Sequence, residues 1–476
     1  MKKRHLSRKI QKRLFFILFA ILMVPTYVFT WNLVSGPTLN DYKGDEVWYA
    51  SAVRNILHKE GIDVHYHTFI NDPKNGIYGE FAGVNVVLTK DANTTNIQDL
   101  DPLIAKVAEK YKPVIKVEGI YYKSHDKFYY LVPKKYEEQF VNDIRKIKGL
   151  DAIPGFRYPD EPGIQDYYNL EHPYLAKEFM ALSMILFGDR PVAWRLGSVL
   201  MYYTAMLATM YIVWKITKNY LHTFIAFLLY AIDPMMRVMG TIGMLDIYTA
   251  TFMLLALIPM VKDEVKPKDY LLAGLITGLA AATKFNGIFI LLPIGIYLIN
   301  HYTDNAKELL KNGTITAVTT AIGFLLGNLP AITVLGFNEW WQGFLNSFGW
   351  HLSYKGPHPF DSPVWQWFFN KNPFTFYYNP RIMAQTNWFL LLLALAIAPA
   401  TIWLTKKWKS IEIVPEAYLG VTLAWLLGYF IGMKTQFSYY AVTIEPLAII
   451  LFATTLPELI RPDIKEKIME RLSEED

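Results

Sequence analysis

Apolar residues fall along this chain in long blocks, not in amphipathic stripes. A run of roughly 17–25 apolar residues is what a helix needs to cross the hydrocarbon core of a bilayer. On that basis the pattern predicts about ten spans, at 14–34, 192–214, 219–235, 242–261, 269–285, 287–301, 314–335, 386–404, 416–433 and 438–456. Between the first and second lies a long polar stretch in which the pattern changes. Residues 84–88, 114–117 and 128–132 read as strands. Residues 97–110, with Leu100, Ile104 and Val107 on one face, and 136–147 read as helices. The expected fold is therefore an all-α polytopic membrane protein carrying a small extracytoplasmic α/β insert in its first outer loop. Its expected divisions are 1–59 (first span and start of the outer loop), 60–165 (insert), 166–460 (transmembrane domain) and 461–476 (a charged, helical tail).

Composition supports the spans and charge orients them. The chain is 53% hydrophobic over 476 residues, too apolar for a soluble protein of this size. Basic residues crowd the N-terminus (Lys2, Lys3, Arg4, Arg8, Lys9, Lys12, Arg13) and recur in short loops at Lys215/Lys218, Lys262/Lys266/Lys268 and Lys406/Lys407/Lys409. The positive-inside rule puts these loops in the cytoplasm. Alternation then puts both termini inside, and 35–190, 236–241, 336–384 and 434–437 outside, so the protein is expected as a multi-pass protein of the cell membrane. Clusters this short, flanking spans, argue against nucleic-acid binding. The first block is long and lacks a small-x-small cleavage site, so an anchor is expected in place of a cleaved signal. The absence of cysteine excludes disulfides, thiolate metal sites and cysteine nucleophiles. A composition rich in Ile, Lys, Glu and Tyr suggests a thermophilic archaeal or bacterial source.

The candidate chemistry falls on the outer face. Asp45-Glu46 opens the first loop, where a carboxylate pair beside a span could act as base toward a lipid-borne substrate. His172-Pro173-Tyr174-Leu175-Ala176-Lys177 lies near its end, and Arg195 within the first turn of the second span. Asp233, Arg237 and Asp246 flank the next outer turn, and Lys284 sits in Thr283-Lys284-Phe285-Asn286-Gly287. Ionisable groups at membrane depth are costly and default to functional candidates. A single Asp246–Arg195 or Asp246–Lys284 pair would be a structural ion pair, whereas several such clusters on one leaflet suit a substrate with a phosphate leaving group. The aromatic loop 336–384, with Trp340, Trp341, Trp350, Trp365 and Trp367, reads as an interfacial belt or as a lid handling lipid and sugar.

Taken in order, these motifs resemble the dolichyl-phosphate-mannose-dependent protein O-mannosyltransferases, glycosyltransferase family 39 of the GT-C fold, in an archaeal-type member. Asp45-Glu46 is similar to that family's Asp-Glu pair after the first span. The 172–177 run resembles its His-Pro-Pro-Leu-Gly-Lys, with Tyr174 and Ala176 replacing Pro and Gly. The 283–287 run resembles its Thr-Lys-Trp-x-Gly, and Arg195 falls where the family has an arginine. His351, then His358-Pro359-Phe360 and Trp365-Gln366-Trp367, resembles its His…His-Pro-Tyr…Trp-x-Trp run, and Lys434 precedes a Tyr-rich stretch as its basic residue does. Thr241 stands where the family usually carries an arginine, with Arg237 one turn earlier, and the 60–165 insert is not typical of it. The resemblance implies inverting transfer of a hexose, mannose in the family, from a polyprenyl (dolichyl) phosphate to a Ser/Thr hydroxyl. It implies Asp45 as base, Glu46 orienting acceptor or base, and Arg195, Lys284 and Lys434 on the lipid phosphate. His172 and His351 would line the site, and Lys177, Arg237, Asp246 and His358 complete the candidate substrate-binding set.

Competing readings are a GT-C transferase with a lipid or glycan acceptor, and a transporter of polyprenyl-linked substrate. Transporters tend to show inverted repeats, and none is clear here. An oligosaccharyltransferase would need a Trp-Trp-Asp-Tyr-Gly run that Trp340-Trp341-Gln342-Gly343 does not supply. His58, His65 and His67 gather with Asp63 in the first loop. His65-x-His67 on a strand would make a ligand pair for a divalent metal, but a solvated strand edge is the favoured reading and no metal ligand is assigned.

Overall fold

The computed structural model describes residues 8–36, 39–117, 124–353, 358–379, 381–404 and 409–459. The 461–476 tail, the first seven residues and the basic positions Lys406 and Lys407 lie outside these. The helices, in chain order, are α1 Arg8–Ser35, α2 Glu46–Lys59, α3 Asp101–Ala108, α4 Glu137–Arg145, α5 Leu175–Phe187, α6 Pro191–Thr217, α7 Tyr220–Ile232, α8 Pro234–Met239 and α9 Asp246–Leu257. They continue as α10 Pro267–Thr283, α11 Leu291–Tyr302, α12 Ala306–Leu335, α13 Phe337–Leu352, α14 Val364–Trp367, α15 Trp388–Leu404, α16 Ile413–Phe430 and α17 Glu445–Leu459.

The chain divides into two compact units. One comprises 39–170 with 177–197, and the other 1–38, 171–176 and 198–476. The smaller unit thus reaches beyond 60–165 on both sides and takes in the Asp45-Glu46 turn.

The larger unit is helical. Among the described residues five helical stretches, Lys9–Ser35, Pro191–Thr217, Phe285–Tyr302, Ala306–Leu335 and Ile413–Phe430, are long and apolar enough to cross a membrane, and the shorter apolar helices α7, α9, α15 and α17 coincide with other predicted spans. Length alone therefore does not fix the count at ten. Phe16, Ile17, Ile21 and Val24 of α1 and Leu325 and Leu326 of α12 are exposed. Apolar surface of that extent is tolerated where lipid, not water, covers it. α10 crosses α12 in close contact. Gly274 on α10 meets Thr316 and Thr319 on α12, and Gly278 meets Gly323 so closely that a Cβ at Gly278 would lie 2.1 Å from the Thr320 carbonyl oxygen. A Cβ at Gly323 would lie 2.1 Å from the Leu275 carbonyl oxygen. Small residues four apart permit such an approach between helices in lipid.

The smaller unit is built around one long strand. β1 (His67–Asp72), β2 (Ile77–Leu88), β3 (Ile115–Lys116), β4 (Lys127–Pro133) and β5 (Leu150–Pro154) form an antiparallel sheet in the order β1-β2-β4-β3, with β5 also on β2. β2 pairs β4 from Phe81 and β5 from Val84, while its first residues, Ile77 to Glu80, pair with β1 alone. Strand alternation sends Val84, Val86 and Leu88 to one face, where Ile104 and Val107 of α3 and Phe140, Val141 and Ile144 of α4 close a core. Val87 goes to the other face, with Ile153, Tyr158, Ile164 and Trp48 of α2. Both faces are covered, so β2 is buried without a break from Phe81 to Leu88, and the polar Asn85 within it is hydrogen-bonded to the Ile153 and Phe156 carbonyls.

Candidate active site

The Asp45-Glu46 turn is held by its own unit. Asp45 takes the N-cap position of α2, yet its side chain makes no capping bond. The carboxylate is half-buried, and the Tyr49 hydroxyl donates to it at 3.4 Å. Glu46 is different. Its carboxylate is fully buried and receives Arg195 through Nε and Nη2, each at 2.6 Å, and the Lys43 backbone N–H at 2.8 Å. Arg195 also donates to the carbonyl oxygens of Leu39 and, at 2.7 Å, Asp41. One guanidinium thus clamps both ends of the 39–46 segment, a forked geometry that only arginine provides. Tyr42 stacks on Trp194 with ring centroids 4.6 Å apart and donates its hydroxyl to the Arg157 carbonyl at 2.8 Å. Burial pushes the Lys43 ammonium pKa down, against the pull of Asp41. The result is a rigid turn presenting Asp45.

A second buried ion pair lies behind it. Arg54 Nε donates to Asp189 at 2.5 Å, and Asp189 also accepts from Trp194 Nε1 and the Phe156 backbone N–H, both at 2.8 Å. Sequence reasoning missed Asp189. Its signal was a charged residue between two apolar runs, in Phe187-Gly188-Asp189-Arg190. Lys177 is likewise buried and donates to the carbonyl and side-chain oxygens of Asn169, at 2.6 and 3.0 Å.

In the helical unit the Thr283–Gly287 motif is a junction. Thr283 Oγ1 meets Thr249 Oγ1 of α9 at 2.7 Å. Lys284, at the end of α10, donates Nζ to both carboxylate oxygens of Asp246, at 2.8 and 3.0 Å, and lies 4.5 Å over the Tyr440 ring. Both partners are buried. A Cβ at Gly287 would lie 2.3 Å from the Ala280 carbonyl carbon, so the chain can fold back on α10 only with glycine there.

His172 and His351 come together, with ring centroids 5.2 Å apart, and the His351 Nε2 pairs with the Glu171 carbonyl oxygen at 3.0 Å. Phe285 and Trp350 pack against them. This aromatic wall joins the 172–177 motif, the lysine motif and α13. Arg237 on α8 lies 4.2 Å over Phe29, and Lys434 4.3 Å over Tyr429. Thr241, standing where the resemblance expects arginine, donates to the Arg237 and Val238 carbonyls at the end of α8. His358 is exposed and accepts the Phe360 backbone N–H on Nδ1 at 3.1 Å, a local turn. A further buried carboxylate, Glu445, was not anticipated. It accepts from the Asn387 N–H at 2.9 Å, while Asn387 Nδ2 donates to Asp233 at 3.2 Å.

Residues 171–330 match the family model described as dolichyl-phosphate-mannose-protein mannosyltransferase. A polyprenol-phosphate-mannose–protein mannosyltransferase of Corynebacterium glutamicum is 22% identical over 404 residues, covering 65% of this chain and 75% of the relative. One from Mycobacterium tuberculosis is 19% identical, covering 63% and 72%. Among solved structures, ArnT from Cupriavidus metallidurans in the apo state gives a TM-score of 0.44 at 15% identity, covering 63% of this chain and 51% of that one. Its undecaprenyl phosphate-bound form gives 0.40 at 17% identity.

Proposed function

We propose that this chain, whose residues 171–330 match the dolichyl-phosphate-mannose-protein mannosyltransferase family model, belongs to that family and moves mannose from a polyprenyl-phosphate donor to a Ser/Thr hydroxyl of a protein acceptor. It is a membrane glycosyltransferase. In the proposed step, Asp45 takes the proton of the acceptor hydroxyl as its oxygen attacks the anomeric carbon. The bond from that carbon to the phosphate oxygen breaks, polyprenyl phosphate leaves as the anion, and the configuration inverts. A base held in a partly dry site is what such a step needs.

The observation that carries the reading is the division of labour at 45–46. Glu46 is wholly engaged by Arg195 and the Lys43 N–H, while Asp45 stands half-exposed on the turn they fix. Arg195 therefore acts as a positioning residue and not, as the resemblance alone implies, on the lipid phosphate. Lys284, oriented by Asp246, is assigned to the phosphate, where a preorganised cation meets developing negative charge. Lys434 and Arg237, each seated on an aromatic ring, are assigned to the same anion. His172 and His351 shape the sugar-side wall, Lys177 holds the start of α5, and His358 fixes the turn before α14. In the proposed arrangement the protein lies in the cell membrane with N- and C-termini cytoplasmic and Asp45 outside, an orientation supported by the basic residues of the short loops at Lys215/Lys218 and Lys262/Lys266/Lys268.

The test is sugar transfer in liposomes from polyprenyl-phosphate-mannose to a Ser/Thr-rich peptide, comparing wild type with Asp45→Asn. Transfer lost in the variant, with donor binding retained, supports the assignment. A well-folded wild type that binds donor but leaves the peptide unmodified redirects the acceptor to a lipid or glycan. Failure to bind any polyprenyl-phosphate sugar overturns the donor.

A further inference from the structure

The α/β unit carries a second cluster of chemistry that glycosyl transfer does not use. His65 Nδ1 lies 2.7 Å from Glu137 Oε1, and His67 Nε2 lies 3.0 Å from Glu137 Oε2. Each carboxylate oxygen thus faces one imidazole. The two rings are near-parallel, 24° apart with centroids at 5.9 Å, as expected for residues two apart on extended backbone. Donor atoms of the three residues all lie within 4.8 Å of one another. Two imidazoles and a carboxylate form a set that suits zinc in particular, whose bonds to nitrogen and oxygen run near 2.0–2.2 Å. Converging on one ion would need only small side-chain movements.

The scaffold holds these donors in place. Glu137 opens α4, where the positive end of the helix dipole favours a charged carboxylate, and its side chain is only 10% exposed. His67 opens β1 opposite Ala82. The His65 backbone is pinned from the other side, because its carbonyl accepts the Asp189 N–H at 2.8 Å. Gly188 makes that approach possible. It has φ +81°, and a Cβ there would lie 2.7 Å from the same carbonyl oxygen. Both imidazoles also line a cavity of about 340 Å³, shared with Ile62, Val64, Met184 and Phe187. That cavity has room for a remaining ligand. The nearby charges are Asp63, which lines the same cavity and biases His65, Arg190, which lines it as well and donates its Nε to the Phe187 carbonyl at 2.8 Å, and Glu80, whose carboxylate is bound by Lys134 at 2.9 Å. The third histidine of the loop is separate: His58 is fixed by Asp63 at 2.7 Å and Asp151 at 2.9 Å.

We infer that His65, His67 and Glu137 form a binding site for a divalent cation of the zinc class, tying the start of β1 to α4 with an open coordination position. The full-length protein, purified in detergent through a tag without histidine and stripped with chelator, is titrated with Zn²⁺ against a chromophoric indicator. The expected result is one ion per chain in wild type, at least tenfold weaker binding in His67→Gln and in His65→Ala, and unchanged binding in His58→Gln. Zn²⁺ raises the unfolding midpoint of wild type and not of His67→Gln. Co²⁺ added to wild type gives the intense visible bands of a four-coordinate site, a reading that does not depend on any variant folding. Wild-type-like binding by the His65→Ala/His67→Gln double variant overturns the inference. So does equal loss in His58→Gln, or a Co²⁺ spectrum no different from the aquo ion.

Discussion

Asp45 and Glu46 are neighbours with opposite fates, and the difference is testable. Asp45→Asn keeps the shape but removes the proposed base, so transfer should fall about 10²–10⁴-fold with the unfolding midpoint unchanged. Arg195→Met strands a buried carboxylate. It should cost about 3–5 kcal/mol in stability besides activity, read as a lowered unfolding midpoint. Assay of Asp45→Asn and Arg195→Met side by side separates chemistry from positioning. His58 gives a pH prediction. Burial opposes its charge, but hydrogen bonds to Asp151 and Asp63 win and raise its pKa from 6.5 to about 9. The stabilisation from charged His58 is therefore complete below pH 6.5 and lost as pH rises through about 9. Wild type should lose more of its unfolding midpoint between pH 6.5 and 9.5 than His58→Gln does. The motif residues were legible in sequence because their types and order are specific. Their partners were not, since the Asp189–Arg54 and Glu46–Arg195 contacts join positions 135 and 149 apart.

At the scale of elements, the apolar blocks located nearly every long helix, because burial in lipid requires an unbroken run. The strands of the α/β unit were legible where alternation or an apolar run survived, as in 84–88 and 128–132. The first half of β2 and all of β1 were not. Their exposure alternates, but no residue of β1 or of Ile77–Glu80 is buried, and the apolar residues Phe69-Ile70 and Ile77-Tyr78 fall side by side and leave no alternation to read. The apolar spacing predicts one helix over 97–110, but the segment breaks into 3-10 turns at Ile97–Leu100 and Glu109–Tyr111 around α3. Leu100, Ile104 and Val107 still face the core. The α10–α12 crossing was hidden because Gly274-x-x-x-Gly278 is legible only once its partner helix is known. Gly278→Leu should force these helices apart at a cost of at least about 1–3 kcal/mol. The check is the unfolding midpoint in detergent, which Gly313→Ala, at a helical glycine with open space around it, should not lower.

For the molecule as a whole, the absence of cysteine makes orientation directly measurable. Lys74→Cys and Glu264→Cys both lie on exposed loops. With the proposed orientation, an impermeant maleimide added to intact cells should label the first at once and the second only after permeabilisation. The opposite pattern would invert the topology and move Asp45 to the cytoplasm. The β1–β2 ribbon has a practical consequence as well. Over Ile77–Glu80 and their β1 partners it runs past the rest of its sheet and ends in a Pro73–Gly76 turn stapled by Asp72 and Asn75. That turn touches neither core of the unit. With the proposed orientation, a rigid epitope or small helical domain grafted there would give electron cryomicroscopy an alignment landmark outside the detergent micelle.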